Sequence, residues 1–463
     1  MWQKRKESCS NMKVADMSAE QKVEYMTTEP IPRLVSQMAV PTIISMLVTS
    51  FYNMVDTMFV GRINTQSTAA VGIVFSVMAI IQACGFFFGH GSGNYISRKL
   101  GEQNFEDAKK MAATGFFSAF IVGLVLGALG LIFLRPLSVF LGSTKTILPY
   151  TMSYLRIILI GTPFMMSSLV INNQLRFQGS ASFAMVGIVT GAVLNIALDP
   201  ILIFGCHMGV AGAALATVIS QIVSFLVLLR ARMKGGNFRI SFRNFTPNGH
   251  YFYNIFKGGV PSLCRQGLGS VATICMNTTA GIYGGIYADA AIAAMGIVAR
   301  IAMFANSTLI GFGQGFQPVC GTNYGAKRYD RVREAFFFCV KTAVGVLVVI
   351  SAAGFVFAGP LVHLFREDAD VVRIGSLALR LQCLVFPLNA WIVMSNMMLQ
   401  TIGQALKASV QAAARQGLFF LPLIWILPQF FGLLGVQMCR TVSDVLTFSL
   451  SVPLCLSVLK ELK

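Results

Sequence analysis

AAVGIV at residues 69–74 returns as AAMGIV at residues 293–298, an offset of 224 positions. The same offset aligns glycines and prolines across several apolar segments in a row: Gly89 with Gly313, Gly101 with Gly325, Pro136 with Pro360, Pro163 with Pro387, and Gly179 with Gly403. Upstream, AVP at 39–41 matches GVP at 259–261 with an offset of 220, which predicts a four-residue insertion near 282–288. The chain is therefore predicted to contain two copies of one unit.

Composition places this unit in a membrane. The 463 residues are 55% hydrophobic and 12% charged, with a mean hydropathy of +0.69. A soluble protein carries about 25% charged residues, and a helix needs about 20 apolar residues to cross a bilayer. Alternating ten-residue segments, typical of a membrane barrel, are missing from the sequence. The sequence predicts an all-α membrane protein with twelve transmembrane helices at 34–59, 68–88, 111–134, 150–175, 181–205, 209–230, 255–280, 290–316, 335–358, 374–402, 407–431 and 433–458.

Each half would hold six spans, so both halves enter the membrane from the same side. This predicts a parallel repeat about an axis along the membrane normal, an arrangement that transporters use for alternating access. The predicted organisation is an amino-terminal tail (1–33), a first lobe (34–230), a linker (231–254), a second lobe (255–459) and a short tail (460–463).

The formal net charge of +18 comes from basic residues whose positions agree with the predicted topology. Most lysines and arginines lie on the side of the termini and the linker. The opposite loops hold only Arg62, Arg135, Lys145, Arg366 and Arg373. The positive-inside rule then places both termini in the cytoplasm, and the charge does not call for nucleic acid. Residues 1–30 lack the apolar core of a cleavable signal, so we expect the first span to be retained as a membrane anchor. We expect the protein to be a monomer and to lie in the plasma (inner) membrane.

Motifs for other chemistries are missing from the sequence. The ten cysteines form no C-x-x-C pair, so buried thiols are expected. The four histidines lie far apart, and H-E-x-x-H, G-x-S-x-G and Walker patterns do not occur. We therefore expect no enzyme activity, no cofactor and no ATPase subunit, and an ion gradient as the energy source.

Two aspartates in the first lobe carry the strongest functional signal. Asp199 lies within AVLNIALDPILIFG (192–205), and Asp56 lies within the first span. Both spans run in the same direction and both acids precede a terminal glycine by a few residues, so a similar depth is predicted. An ionisable residue inside a membrane is a functional candidate by default.

Polar groups accompany both acids. Asn195 precedes Asp199 by one helical turn, and Tyr52 precedes Asp56 by one turn. Pro200 has no N–H, which frees the carbonyl of Ile196. Carboxylates, an amide, a phenol and a free carbonyl suit a hard cation or a shared proton.

The second lobe differs in charge. Asp56 aligns with Met276, and no acid corresponds to Asp199. Arginines occur there instead, within or near the spans: Arg265, Arg300 and Arg415. Asp444 follows Arg440 by four residues, so the two are expected to pair on one helix face. Ion chemistry is therefore expected in the first lobe alone.

Three motifs resemble the multidrug and toxic compound extrusion (MATE) family: YNMVDTMFVG at 52–61, LNIALDPILIFG at 194–205 and GVAGAALATVISQ at 209–221. The resemblance extends over nearly the whole chain. It implies a V-shaped fold and cation-coupled antiport, in which lipophilic, drug-like organic cations leave the cell while Na⁺ or H⁺ enters.

The resemblance also implies site residues. The ion-coupling set, which would also hold Na⁺, corresponds to Asp56, Asn195, Asp199 and Thr217. The candidates for the substrate cavity are Tyr52, Asn172, Asn173, Met276, Arg265 and Arg300. One branch of the family uses acids on the seventh and tenth helices. This chain has Arg265–Gln266 and no acid in the tenth span, so it resembles the branch related to DNA-damage-inducible protein F.

Two hypotheses for transport remain open. In the first, a drug cation and the coupling ion compete for the two aspartates. The alternative is a flippase or exporter of a lipid-linked or anionic metabolite, which Arg265 and Arg300 favour and the acidic first-lobe cluster opposes.

Overall fold

The computed structural model describes residues 17–462, and every regular element in this range is helical. The α-helices are α1 Ala19–Thr28, α2 Ile31–Gly61, α3 Thr65–Gly101, α4 Phe105–Ile132, α5 Leu134–Phe140, α6 Leu148–Phe177, α7 Ala181–Pro200, α8 Gly209–Ala231, α9 Gly249–Tyr283, α10 Ala288–Gly325, α11 Tyr329–Val356, α12 Ala358–His363, α13 Ala369–Val385, α14 Leu388–Thr401, α15 Ala405–Ala413 and α16 Phe420–Glu461. Short π-helical turns follow α7 (Ile201–Gly205) and α15 (Ala414–Leu418), and 3-10 turns occur at Phe242–Asn244 and Gly285–Tyr287.

The twelve predicted crossings are confirmed, although some are bent. Nine helical stretches between residues 17 and 462 are long and apolar enough to span a bilayer. One of them, Ala405–Glu461, turns back at Gly432 (φ 55°, ψ −134°) and therefore makes two crossings. A further crossing is formed by α13 and α14, which meet at a bend of 58°. The remaining one is the 35-residue helix α9.

Polar caps explain where several helices begin after the apolar segments break. The side chain of Asn64 accepts the backbone N–H of Ser67 at 2.7 Å and so starts α3. Asn248 accepts the N–H of Tyr251 at 3.1 Å and starts α9. Such caps satisfy backbone donors that have no partner within the helix.

The helix bounds repeat as the sequence predicts. Helices α4 and α11 each have 28 residues and begin 224 positions apart, at Phe105 and Tyr329. Ala181 and Ala405, which begin α7 and α15, are also 224 apart. The inserted residues form the 3-10 turn Gly285–Tyr287 between α9 and α10. The two-lobe repeat is thus confirmed at the level of single elements.

We call the end of the bundle that carries the segment 232–248 the linker end, and the opposite end the far end. The segment packs under the first lobe. Buried Arg232 donates from Nη1 to Oε1 of Gln174 at 2.6 Å, and the N–H of Phe238 donates to Oε1 of Gln178 at 2.8 Å. The division into domains stays a prediction, but this contact fixes the linker to one lobe.

The two lobes touch through glycines at the linker end. A Cβ added at Gly91 would lie 2.3 Å from the carbonyl oxygen of Ile255, and one added at Gly101 would lie 2.1 Å from that of Thr322. These pairs join α3 to α9 and α10, so backbone meets backbone between the lobes. Toward the far end, a Cβ at Gly72 or Gly267 would have no neighbour within 4 Å. The lobes are therefore in contact at the linker end and diverge toward the far end.

Candidate ion and substrate site

Asp56 and Asp199 lie in the first lobe, toward the far end of α2 and α7. Asp199 is fully buried, whereas Asp56 is partly exposed. Asp199 directly precedes Pro200, where α7 ends and the π-turn Ile201–Gly205 begins. The two carboxylates are close enough for their charges to interact. The structure therefore brings together the two acids that the sequence singled out.

The acids lack neutralising partners. Asn195 donates from Nδ2 to Oδ1 of Asp199 at 3.4 Å, a long hydrogen bond. No ion pair reaches Asp56 or Asp199 within residues 17–462. Within the described residues, three buried oxygens of these side chains have no hydrogen-bond donor: Oδ1 of Asp56, Oδ2 of Asp199 and Oδ1 of Asn195. Because buried acceptors are costly when unpaired, these oxygens point to a proton or a cation as their partner.

Two tyrosines and a threonine complete the cluster. The phenols of Tyr52 and Tyr154 both interact electrostatically with the two aspartates. Tyr154, buried on α6, also interacts with the side chain of Thr217 on α8. The hydroxyl of Thr217 donates to the carbonyl of Ala213 at 3.1 Å, which leaves its oxygen free to accept. We call Tyr52, Asp56, Tyr154, Asn195, Asp199 and Thr217 the acidic cluster.

Tyr154 is a member of the acidic cluster that the sequence does not single out. Its only signal is its place in the fourth span, a few residues from the far end, which is the depth of the acids on their own helices. A tyrosine near a span end is common at membrane interfaces. Only the packing of α6 against its neighbours distinguishes this one.

The ligand set of the acidic cluster defines its chemistry. Carboxylate, amide and hydroxyl oxygens suit hard cations rather than soft metals. Within the described part of the chain, no group of three or more His, Cys, Asp or Glu side chains is placed to hold a metal ion. Two carboxylates with neutral oxygens therefore fit a monovalent cation or a shared proton.

Other predicted site residues lie elsewhere. Asn172 donates to the carbonyl of Ala184 at 2.9 Å, and Asn173 donates to that of Leu169 at 2.7 Å. Both are near the linker end of α6, at the opposite end from Tyr154, so the structure does not bring them to the acidic cluster. Met276 is buried in an apolar cluster of the second lobe and Arg300 is exposed, so neither joins it.

The predicted ion pair of Asp444 is corrected by the structure. Its Oδ1 accepts from Nε of Arg415 at 2.9 Å, and its Oδ2 accepts from Asn389 at 3.1 Å. Arg440 instead lies over the ring of Phe420, with 5.9 Å between its Cζ and the ring centroid. The four-residue spacing along one helix predicted Arg440 as the partner of Asp444. The guanidinium that bonds to Asp444 is that of Arg415, in the π-turn after α15.

Polar side chains that the sequence analysis missed join the lobes across the interface. Buried Arg176 of α6 donates to Oε1 of Gln314 on α10 and, at 2.6 Å, to Asn173. His90 of α3 lies 3.0 Å from the hydroxyl of Ser262 on α9. A third contact runs from Nη1 of Arg98 to the carbonyl of Thr401 at 2.7 Å. We call the contacts of Arg176, Arg98 and His90 with the second lobe the inter-lobe ties.

A two-lobed bundle of twelve membrane-spanning helices, closed at one end and holding unneutralised carboxylates within one lobe, defines a membrane transporter. The MatE family model matches residues 41–201 and 267–426, which is more than half of the chain. The protein belongs to the MATE family of transporters, whose members are not enzymes.

Characterised relatives cover most of the chain. Multidrug export protein MepA of Staphylococcus aureus (strain MSSA476) is 27% identical over 419 residues, which cover 90% of this chain and 92% of MepA. MepA of Staphylococcus haemolyticus (strain JCSC1435) is 28% identical over 415 residues, covering 89% and 90%. The assignment to one branch of the family stays a prediction.

Solved structures agree with the fold. An outward-facing conformation of a multidrug resistance MATE family transporter of the MOP superfamily superimposes with a TM-score of 0.89 at 26% identity, covering 95% of this chain and 98% of that one. A MOP superfamily transporter from Pyrococcus furiosus superimposes with a TM-score of 0.88 at 25% identity and the same coverage. A reversed polarity of its binding pocket suggested a different function for that protein.

Proposed function

We propose that the protein exports lipophilic organic cations in exchange for Na⁺ or H⁺, and that the acidic cluster carries both steps. The relatives named as multidrug export proteins support the substrate class. The observation that carries the proposal is the pair of interacting carboxylates with donor-free oxygens and no ion pair in the described chain.

Competition for negative charge couples the two fluxes. With Asp56 and Asp199 ionised, the cluster attracts a lipophilic cation. When Na⁺ or H⁺ binds the same oxygens, it removes that attraction and favours release of the drug. An ion drives such a cycle only through different affinities for the two conformations, and partial exposure of Asp56 beside buried Asp199 gives the ion a route inward.

The direction of transport follows from the charge distribution. We infer that the linker end, which carries most of the basic loops, faces the cytoplasm of a cell whose plasma (inner) membrane holds the protein. The present arrangement, closed at the linker end, is then open to the outside. Release of drug and entry of the ion take place from this state.

The experiment uses inverted membrane vesicles and ethidium as the organic cation. Asp199→Asn is expected to reduce ethidium uptake at least about tenfold, because loss of an intramembrane charge removes the shared site. Asp289→Asn is the matched control, since Asp289 is exposed at the start of α10. Na⁺ and proton gradients are imposed separately, and one of them should drive uptake in the wild type.

Membrane abundance and monodispersity of both variants are measured in parallel, so that a folding defect is recognised. Asp56→Asn provides a second variant of the same pair. Uptake at the wild-type rate by well-folded Asp199→Asn and Asp56→Asn proteins contradicts the proposal, as does uptake that neither gradient drives.

A further inference from the structure

Two arginines occupy equivalent places on the outer surfaces of the two lobes. Arg156 lies on α6 and Arg380 lies on α13, 224 positions apart, which is the offset of the repeat. Both are exposed. Each lies six residues after the start of its predicted span, 150–175 or 374–402, and so about 9 Å inside that span from its far end. We call Arg156 and Arg380 the repeat arginines.

The arginines that were candidates for the substrate cavity do not repeat. Arg265 and Arg300 align with Ser45 and Ser76 of the first lobe, at offsets of 220 and 224. Arg265 is half-buried and faces Asn396 of its own lobe at 3.5 Å. A basic residue that both lobes carry at one depth indicates a role common to the two lobes, whereas the acidic cluster belongs to the first lobe alone.

The surface around the repeat arginines is apolar. Ile160 follows Arg156 by one helical turn, and Leu384 follows Arg380 by one turn. Both are exposed, and residues four apart share one face of a helix. Tyr154, two positions before Arg156 and therefore on the opposite side of α6, faces the acidic cluster instead. The repeat arginines thus lie in stripes that face lipid.

The helix packing beside each arginine also repeats. A Cβ added at Gly130 of α4 would lie 2.6 Å from the side chain of Leu159 on α6, and one added at Gly354 of α11 would lie 2.8 Å from Sγ of Cys383 on α13. The second pair lies 224 positions beyond the first. Helices α4 and α6, and helices α11 and α13, therefore meet in the same way less than one turn from each arginine, and each lobe has a comparable groove there.

Neither repeat arginine has a counter-charge in the described chain. No carboxylate there pairs with either one, and Arg156 makes no hydrogen bond to it. Arg380 makes a long bond from Nε to the carbonyl of Phe355 at 3.4 Å and lies over the ring of that residue. By contrast, Arg373, two turns nearer the far end, pairs with Asp370 at 3.1 Å. An arginine stays charged in a protein, and a charge that faces hydrocarbon is costly unless it reaches a partner at the headgroups.

We propose that each lobe holds one phospholipid of the far-end leaflet by its phosphate, on Arg156 in the first lobe and on Arg380 in the second. A guanidinium donates two parallel hydrogen bonds to a phosphate, and its long stem lets it extend from inside the span toward the headgroups. The apolar stripe and the groove beside it accommodate the acyl chains. The two lipids hold both lobes at one depth, at the end where the lobes diverge. This role is separate from export and does not involve the acidic cluster.

Native mass spectrometry of the purified, delipidated full-length protein counts the bound lipids. The probe is phosphatidylglycerol, and diacylglycerol with the same acyl chains is the matched lipid without a phosphate. The wild type is expected to bind two molecules of phosphatidylglycerol more tightly than any further ones, and to bind diacylglycerol only weakly. Arg156→Gln and Arg380→Gln should each weaken one of the two about tenfold, the loss expected for a charge-assisted hydrogen bond. The double variant should weaken both.

Further variants separate the proposed contact from other effects. Arg373→Gln removes an exposed arginine of the same helix that has its own carboxylate, and it should keep both lipids. Arg156→Lys and Arg380→Lys keep the charge without the planar fork, so they should retain part of the affinity. They also repeat the test if the glutamine variants do not fold. Asp199→Asn should keep both lipids, so failure of the proposed function is distinguished from failure of this inference.

Four results would overturn the proposal. Diacylglycerol that binds as tightly as phosphatidylglycerol would show that apolar contact alone holds the lipid. Displacement of the two lipids by glycerol phosphate, the soluble headgroup, would assign the arginines to a soluble anion. Equal losses in Arg156→Gln, Arg380→Gln and Arg373→Gln would trace the effect to net charge. Unchanged binding in the double variant would leave the repeat arginines without a lipid.

Discussion

Lys22 places an amine in a buried site outside the membrane-spanning helices. Its Nζ contacts the hydroxyl of Ser180 at 2.6 Å and Oδ1 of Asn237 at 2.9 Å, so α1 is tied to the first lobe and to the linker together. No carboxylate pairs with it in the described chain. Burial lowers the pKa of Lys22 from 10.5 to about 7, because the charged form loses its hydration.

This lowered pKa predicts a pH-dependent stability. Between about pH 7 and 10.5 the unfolded chain holds a proton that folded Lys22 has released, so the folded state gains stability as the pH rises. Below pH 7 both states hold the proton, and the burial penalty is present in full. Lys22→Met, which removes the amine, should therefore raise the melting temperature relative to wild type most strongly at pH 6.5, with a gap that narrows toward pH 9.5.

The measurement is thermal unfolding of the detergent-solubilised protein across that pH range, and the gap at pH 6.5 should amount to a few degrees. Lys109→Met is the matched control, because Lys109 forms a half-exposed pair with Glu106 at 2.7 Å. A gap between Lys22→Met and wild type that does not change with pH would show that the amine is charged in the fold throughout.

Single residues also show what sequence can and cannot predict. Asp56 and Asp199 stand out because a carboxylate in an apolar span has no ordinary structural reason. Arg176 lies just beyond the predicted span 150–175, where a solvated loop residue is expected, yet it is 2% exposed and joins the lobes. Tyr154 and the Arg415–Asp444 pair were missed because their partners lie on other helices, and sequence spacing predicts contacts only within one helix.

At the scale of helices, glycine decides where the lobes meet. Most glycines in α3 could be read from the repeat, since Gly89 and Gly101 have counterparts in α10. The repeat does not show why these positions are glycine, because some glycines in a helix allow close packing and others are only tolerated. The structure distinguishes the two: at Gly91 an added Cβ would meet backbone 2.3 Å away, and at Gly72 it would meet nothing within 4 Å.

Gly91→Ala should therefore loosen the linker end. The added methyl clashes with the carbonyl of Ile255, and overpacking of this kind costs about 1–3 kcal/mol. Gly72→Ala, in the same helix, is the matched control and should be neutral or slightly stabilising, since alanine favours helix by about 1 kcal/mol over glycine.

The rate at which Cys320 is alkylated measures how often the linker end opens. Cys320 is buried on α10 between Gly315 and Gly321, both of which touch the first lobe. Alkylation of Cys320 by N-ethylmaleimide, quantified by peptide mass spectrometry, should be several-fold faster in Gly91→Ala than in wild type. Equal rates in Gly91→Ala, Gly72→Ala and wild type would mean that this contact does not hold the end closed.

At the scale of the whole molecule, the fold was predicted well because apolar length and repeat are properties of sequence alone. The twelve spans and the parallel repeat follow from them. The conformation does not follow from the sequence, because the contacts that determine it lie between helices of different lobes. What selects the conformation is a small set of contacts between lobes, among them the inter-lobe ties, and these join residues far apart in the chain.

Loss of one tie should shift this balance. In Gln314→Leu, the guanidinium of Arg176 loses its acceptor in the second lobe while it stays buried. Leaving a buried donor unsatisfied costs about 1–3 kcal/mol, and more when the donor is charged, and about 1.4 kcal/mol changes the ratio of two conformations tenfold. The arrangement closed at the far end should therefore become more populated, because there the lobes separate around Arg176.

Spin labels at positions 145 and 367, attached to azide-bearing amino acids in place of Lys145 and Glu367, measure this shift. Both residues are exposed at the far end, one in each lobe. Pulsed electron paramagnetic resonance should show a larger share of short distances in Gln314→Leu than in wild type. Gln411→Leu is the matched control, since Gln411 is equally buried but bonds to Ile392 and Ser395 within its own lobe. An equal shift in both variants would trace the effect to loss of a buried amide, and the tie would then have no part in holding the linker end closed.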